Sequence, residues 1–350
     1  MMATLIPSLT ALLALGFAVA LLDQWRERRQ TFQLVWAIGM TLFGIGSTTE
    51  AIAAASGWTE TLYRTWYLAG AVLTPAWLGL GTAYLLSKTR FGYAYSACFL
   101  LAGIFTLLTQ KKYDYPDAGA SPFIYLIVGL VLALAIFGET YFQNARWSTI
   151  AALGVVLGTV VGVVLAIVAP LAAPGYLVDP GTGQPIATLF PGYLRLLTPF
   201  MNVTGAFSLL FGALFSAYVF MPKRRVLGYS LDPGQPFDHF LFNLVIGVVA
   251  IPVNFVMSIP GALRSFRAGT LHSRVPAVLL IAGGTFAALL GDSLNRFGVT
   301  APFAIAKLVS VVLILAGFLV SIEAFHEFRI PFTGIRLGAA RQEGEARPAG

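Results

Sequence analysis

The sequence predicts an all-α protein: a polytopic bundle of transmembrane helices with nine crossings and one further segment that re-enters or breaks, the alternative being ten transmembrane helices. Three observations lead there. Hydrophobic residues make up 57% of the 350-residue chain and charged residues 11%, whereas soluble domains carry about 25% charged residues. Apolar runs long enough to cross a membrane follow one another with short connectors. The basic residues gather in alternate connectors, the pattern that orients membrane helices.

A crossing helix needs about 20 apolar residues. The first run, 3–22, is followed rather than preceded by Arg26, Arg28 and Arg29. A cleaved signal peptide has the reverse order, so this run reads as a retained helix with its N-terminus outside. Run 33–55 carries the polar stretch Ser47–Thr48–Thr49–Glu50. Runs 63–86 and 92–109 follow, the latter holding Cys98, the one cysteine, which excludes an intramolecular disulfide. Run 122–139 is followed by 147–170, where Gly154, Gly158 and Gly162 recur every four residues. Such a face allows close backbone approach; it serves packing within the chain or, alternatively, a homo-oligomer or another protein partner. Run 192–220 repeats the spacing with Ser208, Gly212 and Ser216. Trp25, Trp58, Trp66, Tyr93, Tyr95, Tyr141 and Trp147 fall near run ends, where aromatic belts are expected.

Segment 238–259 is interrupted by Pro252 and Asn254 and followed by Pro260 and Gly261. Over the first seven runs Lys and Arg divide nine to four in favour of the inner connectors. With the intramembrane Lys307 left out, the chain divides sixteen to five if 238–259 returns to the face it left, and ten to eleven if it crosses. The re-entrant or broken form is therefore preferred, with Pro252 and Asn254 at the break. Run 275–291 ends on Asp292–Ser–Leu–Asn–Arg296, which reads as a cap and the start of a loop. Run 303–324 carries Lys307 near its start. Residues 1–225 form a seven-helix unit, 226–330 add membrane segments to it, and 331–350 read as a disordered cytoplasmic tail. The Gly/Pro-rich connector 171–191 reads as an ordered outer lid.

Charge within a membrane run marks pathways or pockets. In the nine-crossing arrangement Glu50, Arg195, Asn202, Asp292 and Lys307 come to the same outer side, as a polar pocket for a substrate or coupling ion. No catalytic motif is present. His239, His272 and His326 lack metal spacing, and neither haem nor retinal has a suitable mid-bundle ligand, so no metal or cofactor is expected. The net charge of +7 is spread through the connectors, which argues against nucleic acid; the expected partner is the lipid bilayer. Arginine outnumbers lysine 17 to 5, a composition common in GC-rich bacteria, and a bacterial inner membrane is expected. Three function classes remain: a non-catalytic membrane subunit or sensor acting through a partner, which is preferred; a small-solute or lipid transporter or channel; and a lipid-modifying enzyme.

Overall fold

The computed structural model of the chain describes residues 2–172, 189–296 and 301–320, with the pairs Phe328–Arg329 and Arg336–Leu337. It is an all-α bundle. In order come α1 (Met2–Arg28), α2 (Thr31–Ser56), α3 (Glu60–Thr65), a π-helical stretch (Trp66–Leu73), α4 (Thr74–Leu85), α5 (Gly92–Tyr113) and α6 (Ser121–Tyr141). Then follow α7 (Trp147–Val168), α8 (Gly192–Phe220), α9 (Phe237–Arg267), α10 (Arg274–Arg296) and α11 (Ala301–Val320). With α3, the π stretch and α4 continuous as Glu60–Leu85, ten helices among the described residues are long and apolar enough to cross a membrane. The two short pairs form an antiparallel ladder, Phe328 opposite Leu337. Most of the expected outer lid and tail lie outside the described residues.

Connectors joining alternate helix pairs meet at one end of the bundle. Trp147 Nε1 donates to the Ser87 carbonyl at 2.8 Å. The rings of Phe91 and Trp147 lie 6.5 Å apart, and those of Trp36 and Phe318 5.1 Å. This end carries Arg26, Arg28, Lys88, Arg90, Arg146 and Lys223–Arg225, and is called the basic end below. At the opposite end Arg64 Nη1 donates to the carbonyls of Ala166 (2.6 Å) and Ala169 (2.9 Å). There the Gly192 N–H also donates to Asp117 Oδ1 at 2.9 Å.

The segment expected to break is an unbroken helix. α9 has 31 residues with Pro252 and Pro260 inside it, about 46 Å at 1.5 Å per residue. Yet both of its ends lie at the basic end of the bundle. Near its start, Phe240 packs on Tyr93 (5.5 Å), Phe137 (6.2 Å) and Tyr141 (5.0 Å), at the start of α5 and the end of α6. In its second half, Phe255 packs on Tyr218 at the end of α8, 6.3 Å away, and Ala262 joins the apolar cluster of Met221 and Val275. α10 then starts beside α8, with the rings of His272 and Phe220 4.8 Å apart. Among the described residues α9 therefore does not run through the bundle, whereas the other nine long helices do. Its two ends lie at one face, as the nine-crossing arrangement expects, while the break expected at Pro252 and Asn254 is corrected, since α9 is continuous through both. The helix continues through Pro252, which lies on its exposed side, at the cost of the hydrogen bond that a proline cannot donate. Asn254 is fully buried and marks no break. It accepts from the N–H groups of Val226 (2.8 Å) and Leu227 (3.0 Å) and donates to the Leu227 carbonyl (2.8 Å), holding the strap that joins α8 to α9.

α8 is the central helix, packed on α4, α5 and α10. Glycines set the closest approach. A Cβ on Gly79 of α4 would lie 2.6 Å from Gly205 Cα of α8, so the two backbones touch, as small residues permit in membranes. The face of Gly154, Gly158 and Gly162 is likewise filled from within the chain. Added Cβ atoms there would meet Leu132 at 2.8 Å, the Met201 sulfur at 2.5 Å and Leu197 at 3.4 Å. These glycines serve packing within the chain, the first of the two uses weighed for that face.

Candidate functional site

Towards the end opposite the basic connectors, six helices and the π stretch surround a cavity of about 660 Å³, within the 300–1,000 Å³ usual for ligand pockets. Helical periodicity supplies the wall. Arg195, Thr198, Asn202, Ala206 and Leu209 of α8 fall three or four residues apart and line one face. Glu50 and Ser47 come from α2, Asp292 and Thr285 from α10, and Lys307 and Ser310 from α11. Tyr113 at the end of α5 and the connector residues Asp114–Pro116 form the outer rim. All five residues singled out in the sequence for a polar pocket, Glu50, Arg195, Asn202, Asp292 and Lys307, line this one cavity.

The centre of the site is an ion pair between residues 257 apart in sequence: Lys307 Nζ donates to Glu50 Oε2. Glu50 is 3% exposed, and its other oxygen accepts from Trp66 Nε1 at 2.6 Å. The Lys307 ammonium also sits over the Phe303 ring, 4.6 Å from its centre, an arrangement that favours a cation. The Arg195 guanidinium lies over the Tyr115 ring at 4.3 Å, drawn to the rim. The buried Asn202 Oδ1 and Ser47 Oγ make no hydrogen bond among the described residues. Unlike backbone groups in a helix, these side-chain atoms are free to meet a ligand.

Sequence reasoning missed the π stretch. Trp66, Tyr67, Gly70 and Ala71 all line the cavity, and π-helical turns occur frequently at functional sites. The wider turn carries Trp66 inward to Glu50, so Trp66 is 5% exposed rather than interfacial as expected. Tyr95 and Trp147, at 0% and 1%, also pack inside the bundle. Gly46 and Gly70 let α2 and the π stretch meet closely beside the cavity, since a Cβ on Gly46 would lie 2.9 Å from Gly70 Cα. The run Asp292–Arg296, expected as a cap and loop, continues α10 to Arg296. This keeps Asp292 on the helix face that lines the cavity.

The cavity ends on an apolar layer. Leu78, Leu209 and Ile314 belong both to its floor and to a small void of about 20 Å³ bordered by Phe17, Trp36 and Phe318. Phe17 and Phe318 meet edge-to-face at 4.7 Å, and Trp36 Nε1 donates to the Leu78 carbonyl at 2.9 Å. This plug separates the polar cavity from the basic end. Compared with known proteins, the chain matches no family model, no curated protein and no solved structure.

Proposed function

We propose that the protein is a membrane carrier that takes a small amphiphilic solute, bearing both a positive and a negative group, from the side opposite the basic connectors. The observation that carries this reading is the Glu50–Lys307 pair at the centre of a ligand-sized cavity. Acids (Glu50, Asp114, Asp292) and bases (Arg195, Lys307) face one space above an apolar floor. Intramembrane charges of this kind mark substrate pathways. With the basic end cytoplasmic, as the distribution of Lys and Arg requires, the cavity opens outward and the plug shields the cytoplasm.

The ion pair links α2 to α11, and α11 also carries Ile314 and Phe318 of the plug. A ligand anion that draws Lys307 from Glu50 loosens the helix that seals the floor. Binding energy then acts differently on the open and closed plug, which any ligand-driven change requires.

The test is uptake of zwitterionic solutes by proteoliposomes, alongside thermal stabilisation of the detergent-solubilised protein by the same solutes. Flux by the native protein, lost in Glu50→Gln and Lys307→Met variants of native helicity, is the expected result. Native flux in both variants rejects the reading. A second reading, a sensor signalling through a partner, draws support from α8 and α10, which wall the cavity and also border α9 and its strap at the basic end. Stabilisation by a solute without any flux favours the sensor.

A further inference from the structure

α9 is sided in a way its mean hydropathy hides. Its buried residues are Phe240, Gly247, Ala250, Asn254 and Ser258, one stripe at steps of seven, three, four and four. The strap after α8 runs antiparallel along that stripe. The Arg224 N–H donates to Ser258 Oγ at 2.9 Å, Val226 and Leu227 bond to Asn254, and the Ser230 N–H donates to Asn243 Oδ1 at 3.2 Å. The polar side of the helix is thus covered by chain. The other side is apolar and bare: Phe242, Val245, Val248, Val249, Val256 and Phe266 are all exposed, Val248 at 72%. From 242 to 266 this strip runs about 36 Å at 1.5 Å per residue.

Charge is separated along the same axis. The Arg224–Ser258 bond sets Lys223, Arg224 and Arg225 beside the last turns of α9, which carry Arg264 and Arg267, with Arg274 opening α10. The acids of this region, Asp232 and Asp238, sit at the other end of the helix. Twenty residues, about 30 Å, separate Asp238 from Ser258. Six cations therefore gather at one end of a helix whose bare face is hydrocarbon, with both helix ends at the basic end of the bundle.

We propose that α9 lies in the plane of the membrane, its apolar face among the acyl chains of the leaflet at the basic end, and that the cluster Lys223, Arg224, Arg225, Arg264, Arg267 and Arg274 binds the headgroups of anionic phospholipid. Amphipathic helices rich in basic residues bind membranes in this way, and anionic leaflets attract such clusters. The occupant is a lipid monolayer because the strip continues the lipid-facing surface of the crossing helices and the charge beside it is positive. The inference does not rest on the carrier reading; α9 and its cluster stand apart from the cavity.

The test places nitroxide labels, one at a time, at Val245, Val248, Val256 and Gly228 of a Cys98→Ala protein in vesicles of phosphatidylcholine with phosphatidylglycerol. The three valine positions are expected to collide with oxygen and be shielded from a water-soluble nickel chelate, all at one shallow depth, while Gly228 meets the chelate. A steady change of depth from Val245 to Val256 would mean a crossing helix. Nickel access at the valines would mean an aqueous face. Shielding from both reagents would mean a second protein copy. Any of these overturns the proposal. For the headgroups, Lys223→Gln/Arg224→Gln/Arg225→Gln should lower the preference for phosphatidylglycerol over phosphatidylcholine, counted as lipid retained on purified protein, by about fivefold or more. These side chains are exposed and the bond from residue 224 is a backbone one, so folding is preserved. An unchanged preference overturns the headgroup assignment.

Discussion

Replacing Lys307 with Met removes one half of a buried ion pair and leaves a carboxylate, 3% exposed, facing an apolar side chain. Breaking a buried pair from one side costs about 3–5 kcal/mol. Two features reduce this here: Trp66 Nε1 still donates to Glu50 at 2.6 Å, and the cavity beside it is polar. The expected loss is about 2–3 kcal/mol for Lys307→Met and similar for Glu50→Gln, which strands the ammonium over Phe303. The double variant leaves neither charge; the Gln oxygen still accepts from Trp66, and the total cost is about 2 kcal/mol. The two single effects therefore fail to add by about 2–4 kcal/mol. Unfolding by SDS in mixed micelles, followed by far-ultraviolet circular dichroism across the four proteins, measures that coupling. Additivity within about 0.5 kcal/mol would show that the two groups do not act as a pair and would refute the reasoning about the site.

Gly79→Val forces the α4 and α8 backbones apart and should cost about 3 kcal/mol or more, seen as loss of monodisperse protein; native yield would show that the backbones at Gly79 and Gly205 leave room for a side chain. Trp36→Ala removes the bond to Leu78 and the ring packed on Phe318, costing about 3–5 kcal/mol, and widens the void in the plug; solute or ion leak through proteoliposomes should rise, and a tight membrane would move the seal elsewhere. Asn202→Leu should change stability by less than about 1 kcal/mol, because its oxygen has no bond to lose, while weakening ligand binding; a large loss of stability would make Asn202 a packing residue. Pro252→Ala should leave flux unchanged and stability equal or higher, since an interior helix proline is unfavourable by about 3 kcal/mol; lost flux would restore a functional break there.

The crossing helices were legible because each depends on a quantity the sequence carries directly: length, apolar content and the side of the neighbouring arginines. The site was legible only in part. Glu50 and Lys307 stood out because a charge within an apolar run is costly. Trp66, Tyr67 and Gly70 did not, because nothing in a single sequence marks where an α-helix widens to a π turn and swings an aromatic from the lipid to the interior. Trp66 next to Arg64, with Glu50 sixteen residues before it, looked like an interfacial ring. The glycine face at 154, 158 and 162 was visible as a pattern, but the neighbour filling it, Met201 at Gly158, is set by tertiary packing alone.

α9 shows why hydropathy and topology differ. A window of residues measures how apolar a segment is, not how its polar groups are arranged. Asn243, Gly247, Asn254 and Ser258 lie on one line of a helix, at steps of four, seven and four. A helix surrounded by lipid has no use for such a line, whereas one covered by its own strap does. That stripe was readable in the sequence, and the prolines drew the reading towards a break instead. The consequence reaches the site. A helix that fails to cross reverses the side on which every later residue falls. Had α9 crossed, Asp292 and Lys307 would stand at the basic end, away from Glu50 and Arg195. Because it lies along that end, α10 and α11 return to the same side as α2, and the Glu50–Lys307 pair forms. The cavity therefore depends on a helix that contributes no residue to its wall.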